Sequence, residues 1–369
     1  MNQANRPLKY RILLAPLDWG LGHATRIIPI ARELLLQGAE VVFGSSGKNR
    51  ILLEQEFPTQ THIELPGYGI SYSKNRWTMA LTMAAQVPKI IAAIDDENEL
   101  VDEIMQTHAI DAIISDNRYG LYHDKIPSVF IGHQLLIKTG MGKMADQYLQ
   151  KINYSFINKF SECWVPDFEN GLGLAGSLSH PDSLPEVPVK YLGPLSRFTQ
   201  DGSKKAGNFI LVLLSGPEPQ RTMLENLIVE QSKKINEKIV LVRGLPGGGK
   251  TLDVDAHVEL HDHLPALELK EKIQHASLVI ARSGYSTVMD LSVLNKPSVL
   301  IPTPGQTEQE YLAQHLMDQN LALFLPQDKF KLSSALDLAR HFPFKNYEVK
   351  SEYLLNKTIS EFLNKLKPA

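Results

Sequence analysis

A single cysteine, Cys163, stands in 369 residues, so the chain can close no internal disulfide and assemble no multi-thiolate zinc site. Charge of one sign is also lacking: 38 basic against 41 acidic side chains leave a formal net charge of -3, with no basic excess to draw it to nucleic acid. No apolar run reaches the roughly 20 residues of a membrane span. The longest such stretch, WTMALTMAAQVPKIIAAI at 77–94, is interrupted by Gln86, Pro88 and Lys89. The opening MNQANRPLKYRILLAP carries no small-residue cleavage pattern, so the expected location is cytoplasmic. Short-period repeats and low-complexity tracts are missing too. What is there is length enough for two ordinary domains, with 43% hydrophobic residues to fill their cores.

Strand-like and helix-like segments alternate from the start: YRILLAPL, ATRIIPIARELLLQG, EVVFGSS, then AIDAIISD, IPSVFIGH and ECWVPD. Such alternation means parallel strands with crossover helices. Residues 176–207 are rich in Pro, Gly and Ser and read as a domain joint. A second series follows, with NFILVLLSG, KIVLVRG, SLVIARSG and PSVLIPTP as strands between helical stretches. The expected fold class is α/β, as two tandem Rossmann-like doubly wound domains facing a central cleft. The N-terminal domain takes residues 1–198 and the C-terminal domain 199–345. Residues 346–369 have leucine and isoleucine at helical spacing, as a closing amphipathic helix would.

One stretch after KIVLVR, GLPGGGKT at 244–251, spells the G-x-x-x-x-G-K-T of a phosphate-binding loop. That loop works only where a helix starts at once behind it. Here Leu252, Val254, Ala256, Val258 and Leu260 alternate with polar residues, which is strand periodicity. The reading is a hairpin-like turn between strands, with Gly247 to Gly249 supplying positive φ.

Doubly wound domains bind ligands beyond the carboxyl ends of their strands, so chemistry is sought in the residues just after them. DWGLGHATR at 18–26 offers Gly20 and Gly22 for a tight entry into a helix, and His23 as a candidate general base or a helix-capping residue. Asp116 in IISDNRYG is a second candidate base or a structural strand-end carboxylate, with Arg118, Tyr119, His133 and Gln134 near it as acceptor-side candidates. LLSGPEPQR places Ser215 and Gly216 where a phosphate could meet a helix start. ARSGYSTVMD places Arg282, Ser283, Gly284 and Thr287 similarly, and Asp290 one turn on suits a ribose diol. TPGQTEQE adds Gln306, Gln309 and Glu310, suited to sugar hydroxyls. His261, Asp262 and His263 in LHDHLP lack a third ligand at metal spacing and read as a polar loop.

RSGYSTVMDLSVLNKPSVLIPTPGQTEQEYLA resembles the C-terminal signature of GT-B glycosyltransferases of family 28, a family known for adding N-acetylglucosamine to a lipid-linked muramoyl-pentapeptide. GLGHATR is similar to that family's N-terminal glycine-histidine loop. The resemblance implies an inverting transfer without metal or cofactor, from a nucleotide-sugar, most often a UDP-sugar, bound by the C-terminal half. The acceptor, lipid-linked or not, would belong to the N-terminal half. It places Asp290 on the donor ribose, Gln309 and Glu310 on the sugar, Ser283, Gly284 and Thr287 toward phosphate, Ser215 and Gly216 in the donor loop, and His23 near the acceptor. The glutamate at 310 departs from the common pair of glutamines and leaves the sugar open. Arg282 is expected to steady the departing diphosphate. The 77–94 segment suits peripheral contact with the inner face of a membrane, or core packing. The same fold would also serve a nucleotide-sugar epimerase or hydrolase, or a non-catalytic nucleotide-sugar-binding protein.

Overall fold

The computed structural model describes residues 10–69, 76–199, 207–347 and 352–366. In the first half, β1 (Arg11–Pro16), α1 (Leu21–Leu36), β2 (Glu40–Ser45), α2 (Gly47–Glu56), β3 (Thr61–Glu64), α3 (Arg76–His108), β4 (Ala112–Asp116), β5 (Ser128–Ile131), α4 (Lys143–Ile157), β6 (Glu162–Val165) and β7 (Val189–Tyr191) follow in order. The second half holds β8 (Phe209–Leu213), α5 (Gln220–Ser232), β9 (Lys238–Val242), β10 (Val258–His261), α6 (Ala266–His275), β11 (Leu278–Ala281), α7 (Tyr285–Val293), β12 (Ser298–Leu300), α8 (Thr307–Asp318), β13 (Leu323–Phe324), α9 (Leu332–His341) and α10 (Glu352–Lys365).

Ile12, Leu13, Leu14 and Ala15 of β1 are all fully buried, which requires cover on both faces of the sheet. Ile12 and Leu14 pack with Ile27 and Ala31 of α1, whereas Leu13 and Ala15 pack on the opposite side with Val101 of α3. Two sheets result, ordered β3-β2-β1-β4-β5-β6-β7 and β10-β9-β8-β11-β12-β13, and every pairing is parallel. Strand order reverses at β1/β4 and again at β8/β11. These are the two points where a doubly wound sheet opens a crevice beyond its strand ends.

Within the 176–207 stretch, Val189–Tyr191 adds the last parallel strand to the first sheet, inside the 1–198 given to the first domain. The structure corrects two sequence-based expectations. The strand expected from Leu252 begins only at Val258, and β10 runs parallel to β9, so 243–257 is a crossing connection rather than a hairpin. Of Gly247, Gly248 and Gly249, only Gly248 takes positive φ, at 80°.

The last helix returns to the first domain. Phe362 meets Trp164 edge-on with ring centroids 5.4 Å apart, and Asn356 donates to Glu33 of α1 at 2.7 Å.

Candidate active site

His23 is the third residue of α1 and Arg26 follows one turn later, so both side chains leave the same face of the helix. Gly20 introduces that helix at φ 97°, a conformation a Cβ would strain. Asp116 ends β4, the strand next to β1, and is fully buried. The three side chains meet. Arg26 donates to both oxygens of Asp116, through Nε at 3.1 Å and through Nη2, while His23 Nδ1 lies 3.1 Å from Asp116 Oδ2 and 2.8 Å from Arg26 Nη2. Burial pushes the Asp116 carboxyl up, but Arg26 and His23 outweigh it and hold the group below the usual carboxylate range.

His133, two residues beyond β5, extends the cluster toward the second domain. Arg26 Nη1 lies 3.3 Å from its Nδ1, and its Nε2 lies 2.7 Å from Oε1 of Glu308 on α8. Its ring stacks on Tyr285 of α7 at 4.0 Å between centroids and 11° between planes. Burial lowers the pKa of His133, against the pull of Glu308 and with the support of Arg26, so the ring is neutral. Neutral imidazole has one donor and one acceptor. Arg26 can only donate, so Nδ1 accepts and Nε2–H donates to Glu308.

The second domain brings its own strand ends to the same crevice. Ser215 and Gly216 are exposed beyond β8, with Gly216 at φ 99°. Gly284 caps α7 with open space where a Cβ would stand, so the first amides of that helix are approachable. Thr287 is half-buried on its first turn. Across the domains Ser286 Oγ donates to the Gly22 carbonyl at 2.9 Å, and a Cβ on Gly22 would stand 2.9 Å from that hydroxyl and press on this contact. Asp290 accepts from Ser196 Oγ at 2.5 Å, and burial pushes its carboxyl up to about 6 despite Arg197 and Ser196. Beyond β12, Gln309 accepts from the Thr303 amide at 2.9 Å and donates to Gln306, and Glu310 accepts from the Gly305 amide at 3.1 Å. The hydroxyl of Thr303 is buried without a partner, beside the place a Gly216 Cβ would take.

Several sequence candidates have other work. Arg282 is 1% exposed and donates to the carbonyls of Ile301, Pro302 and Gln220, so it braces the loops from behind and does not reach into the crevice. Ser283 Oγ donates to the Gln309 carbonyl at 2.8 Å. Arg118 is fully buried and spent on Glu97 and on the carbonyls of Pro16 and Pro66, which removes it from the acceptor side. Tyr119 donates to Asn153 at 2.8 Å inside the first domain, while Gln134 is half-buried and its carbonyl accepts from Asn153. Asp116 is fully buried and paired with both Arg26 and His23.

No helix follows GLPGGGKT. Arg243 holds the Lys250 carbonyl at 2.9 Å and Asp262 at 2.6 Å, and Asp262 also accepts the Gly249 amide at 3.0 Å. Asp262 is therefore a loop brace, and His261 pairs with Glu259 at 2.7 Å. Among the described residues no group of three or more His, Cys, Asp or Glu could hold a metal ion.

Arg26, Tyr285 and Glu308 were not singled out by the sequence. The spacing of His23 and Arg26 was the available signal, because an arginine on the buried face of a helix demands a carboxylate.

Two parallel α/β domains with their strand ends opposed across a crevice define the GT-B fold. A glycotransferase of kitacinnamycin shares it, with a TM-score of 0.63 at 15% identity, covering 98% of this chain and 95% of that one. Residues 214–365 match the glycosyltransferase family 28 C-terminal domain. An uncharacterized glycosyltransferase of Methanopyrus kandleri is 21% identical over 84% of this chain and 91% of its own. The UDP-N-acetylglucosamine–N-acetylmuramyl-(pentapeptide) pyrophosphoryl-undecaprenol N-acetylglucosamine transferase of Haemophilus ducreyi is 21% identical over 86% and 85%. Residues 214–365 thus carry a glycosyltransferase family 28 C-terminal domain, and the chain is a glycosyltransferase.

Proposed function

We propose that the chain moves a sugar from a nucleotide-sugar, a UDP-sugar by analogy with the Haemophilus relative, to an acceptor hydroxyl in one inverting displacement that needs no metal. His23 Nε2 takes the proton of the acceptor hydroxyl as its oxygen bonds to the anomeric carbon. The bond from that carbon to the phosphate oxygen breaks, and the nucleoside diphosphate leaves with the electron pair. This role requires the tautomer with the proton on Nδ1, in which His23 donates to Asp116 Oδ2 instead of accepting from Arg26 Nη2, and the Asp116 charge stabilises the imidazolium as it forms. The open N-terminus of α7 at Gly284, the exposed Ser215–Gly216 turn and the unpartnered Thr303 hydroxyl are suited to the diphosphate. Asp290 serves the ribose, and Gln306, Gln309 and Glu310 shape the sugar end.

The observation that carries this reading is the His23–Asp116–Arg26 cluster at the N-terminus of α1, pinned by Ser286 to the N-terminus of α7. A lipid-linked acceptor is supported by α4, which exposes Met144, Tyr148 and Ile152 as one stripe, with Met141 before it and Lys143 and Lys151 beside it. The stripe starts next to the crevice, where Thr307 donates to the Lys138 carbonyl at 2.6 Å. The side chains of Trp77, Met79, Leu81 and Met83 lie outside the described residues, while Val87 and Ile91 of the same helix are exposed. The test is a calorimetric panel of UDP, UDP-sugars, dTDP-sugars, GDP-sugars and ATP in EDTA. Selective binding of one nucleoside diphosphate and its sugars is expected. Binding of ATP alone, and only with magnesium, would contradict it.

A further inference from the structure

The acidic residue nearest His133 comes from the other domain. His23 and Arg26 belong to α1, Asp116 to β4 and His133 to the loop after β5, whereas Glu308 sits in the first turn of α8 and Tyr285 in that of α7. Among the described residues these, with Asp167 behind Tyr285, are the titratable and charged groups of the cluster. Burial pushes the Glu308 carboxyl up, but His133, Arg26 and His23 together bring it below its ordinary value, so it is ionised. Without Glu308, the charges around His23 are one guanidinium and one carboxylate, and a proton taken by His23 leaves the cluster positive. With Glu308, the same proton brings it to neutrality. A second effect is geometric. By accepting from His133 Nε2–H, Glu308 leaves Nδ1 to receive Arg26, and Arg26 in turn holds Asp116.

We propose that Glu308 is a positioning residue supplied across the crevice, and that His23 becomes an effective base only when the donor domain is docked as here, so that Glu308 reaches His133. This rests on the proposed role of His23, but its first test does not need the reaction. Imidazole resonances of the full chain are followed by nitrogen-15 NMR through a pH titration, with His23 and His133 assigned through His23→Asn and His133→Asn. In Glu308→Gln the amide oxygen still accepts from His133, so the His133 tautomer is kept while the His23 ring resonances move, because one carboxylate charge has left the cluster. Glu308→Ala is expected to lose the tautomer as well. Identical His23 and His133 signals in wild type, Glu308→Gln and Glu308→Ala would overturn the proposal.

Turnover separates this from the parent reading. At saturating donor, Glu308→Ala should lose about tenfold in rate, with Glu308→Gln between it and wild type and the acid limb of the pH–rate profile displaced to lower pH in both. Donor affinity should stay within about twofold, since Glu308 acts on the base and not on the nucleotide. An unmoved acid limb with a raised KM would overturn the coupling while leaving His23 as base. Full turnover in His23→Ala would instead remove the base on which the coupling acts, whatever the NMR shows.

Discussion

Asp116 has no exposure, and Arg26 beside it is 2% exposed, so each is tolerable only because of the other. Asp116→Ala strands a buried guanidinium and should cost about 3–5 kcal/mol of unfolding free energy, read as a lowered urea midpoint with an unchanged slope. Asp290 behaves in the opposite sense. Burial raises its folded carboxyl to about 6, above the unfolded value, so the fold favours the protonated form. Stability from that group is complete below the unfolded pKa of about 4 and is lost as the pH rises through about 6. Asp290→Asn should therefore raise the melting temperature at pH 8 and leave it unchanged at pH 4. A ribose diol needs the ionised acceptor, so wild-type nucleotide affinity should fall as the pH drops through about 6. Calorimetry on Asp290→Asn should show weaker binding with that pH dependence gone.

The loop 244–251 shows how much a single stretch can mislead when separated from its surroundings. Its letters match a nucleotide cradle, yet the element behind it is an irregular crossing to β10 and not a helix. Gly249 is there because a Cβ would stand 2.5 Å from Arg243 Nη1, and Arg243 cannot retreat, being tied to Glu225 and Asp262. Gly249→Val should cost about 1–3 kcal/mol of stability by overpacking. Lys250→Ala, at an exposed position, should leave stability and nucleotide affinity within experimental error. The long apolar strands and their alternation with helices were legible because a parallel sheet buried on both faces leaves near-continuous apolar runs. The strands β3, β7 and β13 were not, because they are short, lie at sheet edges and are only partly buried, so they present no apolar run. Residues at strand ends were legible as a group, but their division into crevice-lining and bracing roles was not. Arg282 and Arg118 sit where a ligand-binding arginine would, and only the surrounding carbonyls and carboxylate show that the Nη1 and Nη2 donors of Arg282 and the guanidinium of Arg118 are engaged within the protein. Glu308 was hidden because its partner lies 175 residues away in the other domain.

At the level of the whole molecule, α10 ties the end of the chain to the first domain. Phe362 is 2% exposed in the same core as Trp164 and Ile12, so Phe362→Ala should lower unfolding free energy by about 3–5 kcal/mol. Because that core runs through both domains, the loss should appear as one shifted unfolding transition by near-ultraviolet circular dichroism. Ser286 pins α7 to α1 and Glu308 pins α8 to the loop after β5, so the strand ends of the two sheets meet, and the proposed catalytic account depends on that meeting. The most direct test is the rate of nucleoside diphosphate release in EDTA, using the donor chosen by the binding panel and an alcohol acceptor, for wild type and His23→Ala. The account predicts release by wild type that added magnesium does not accelerate, and a loss of about 10²- to 10⁴-fold in His23→Ala with donor affinity preserved. Release that requires a divalent cation, or that survives in His23→Ala, would contradict it.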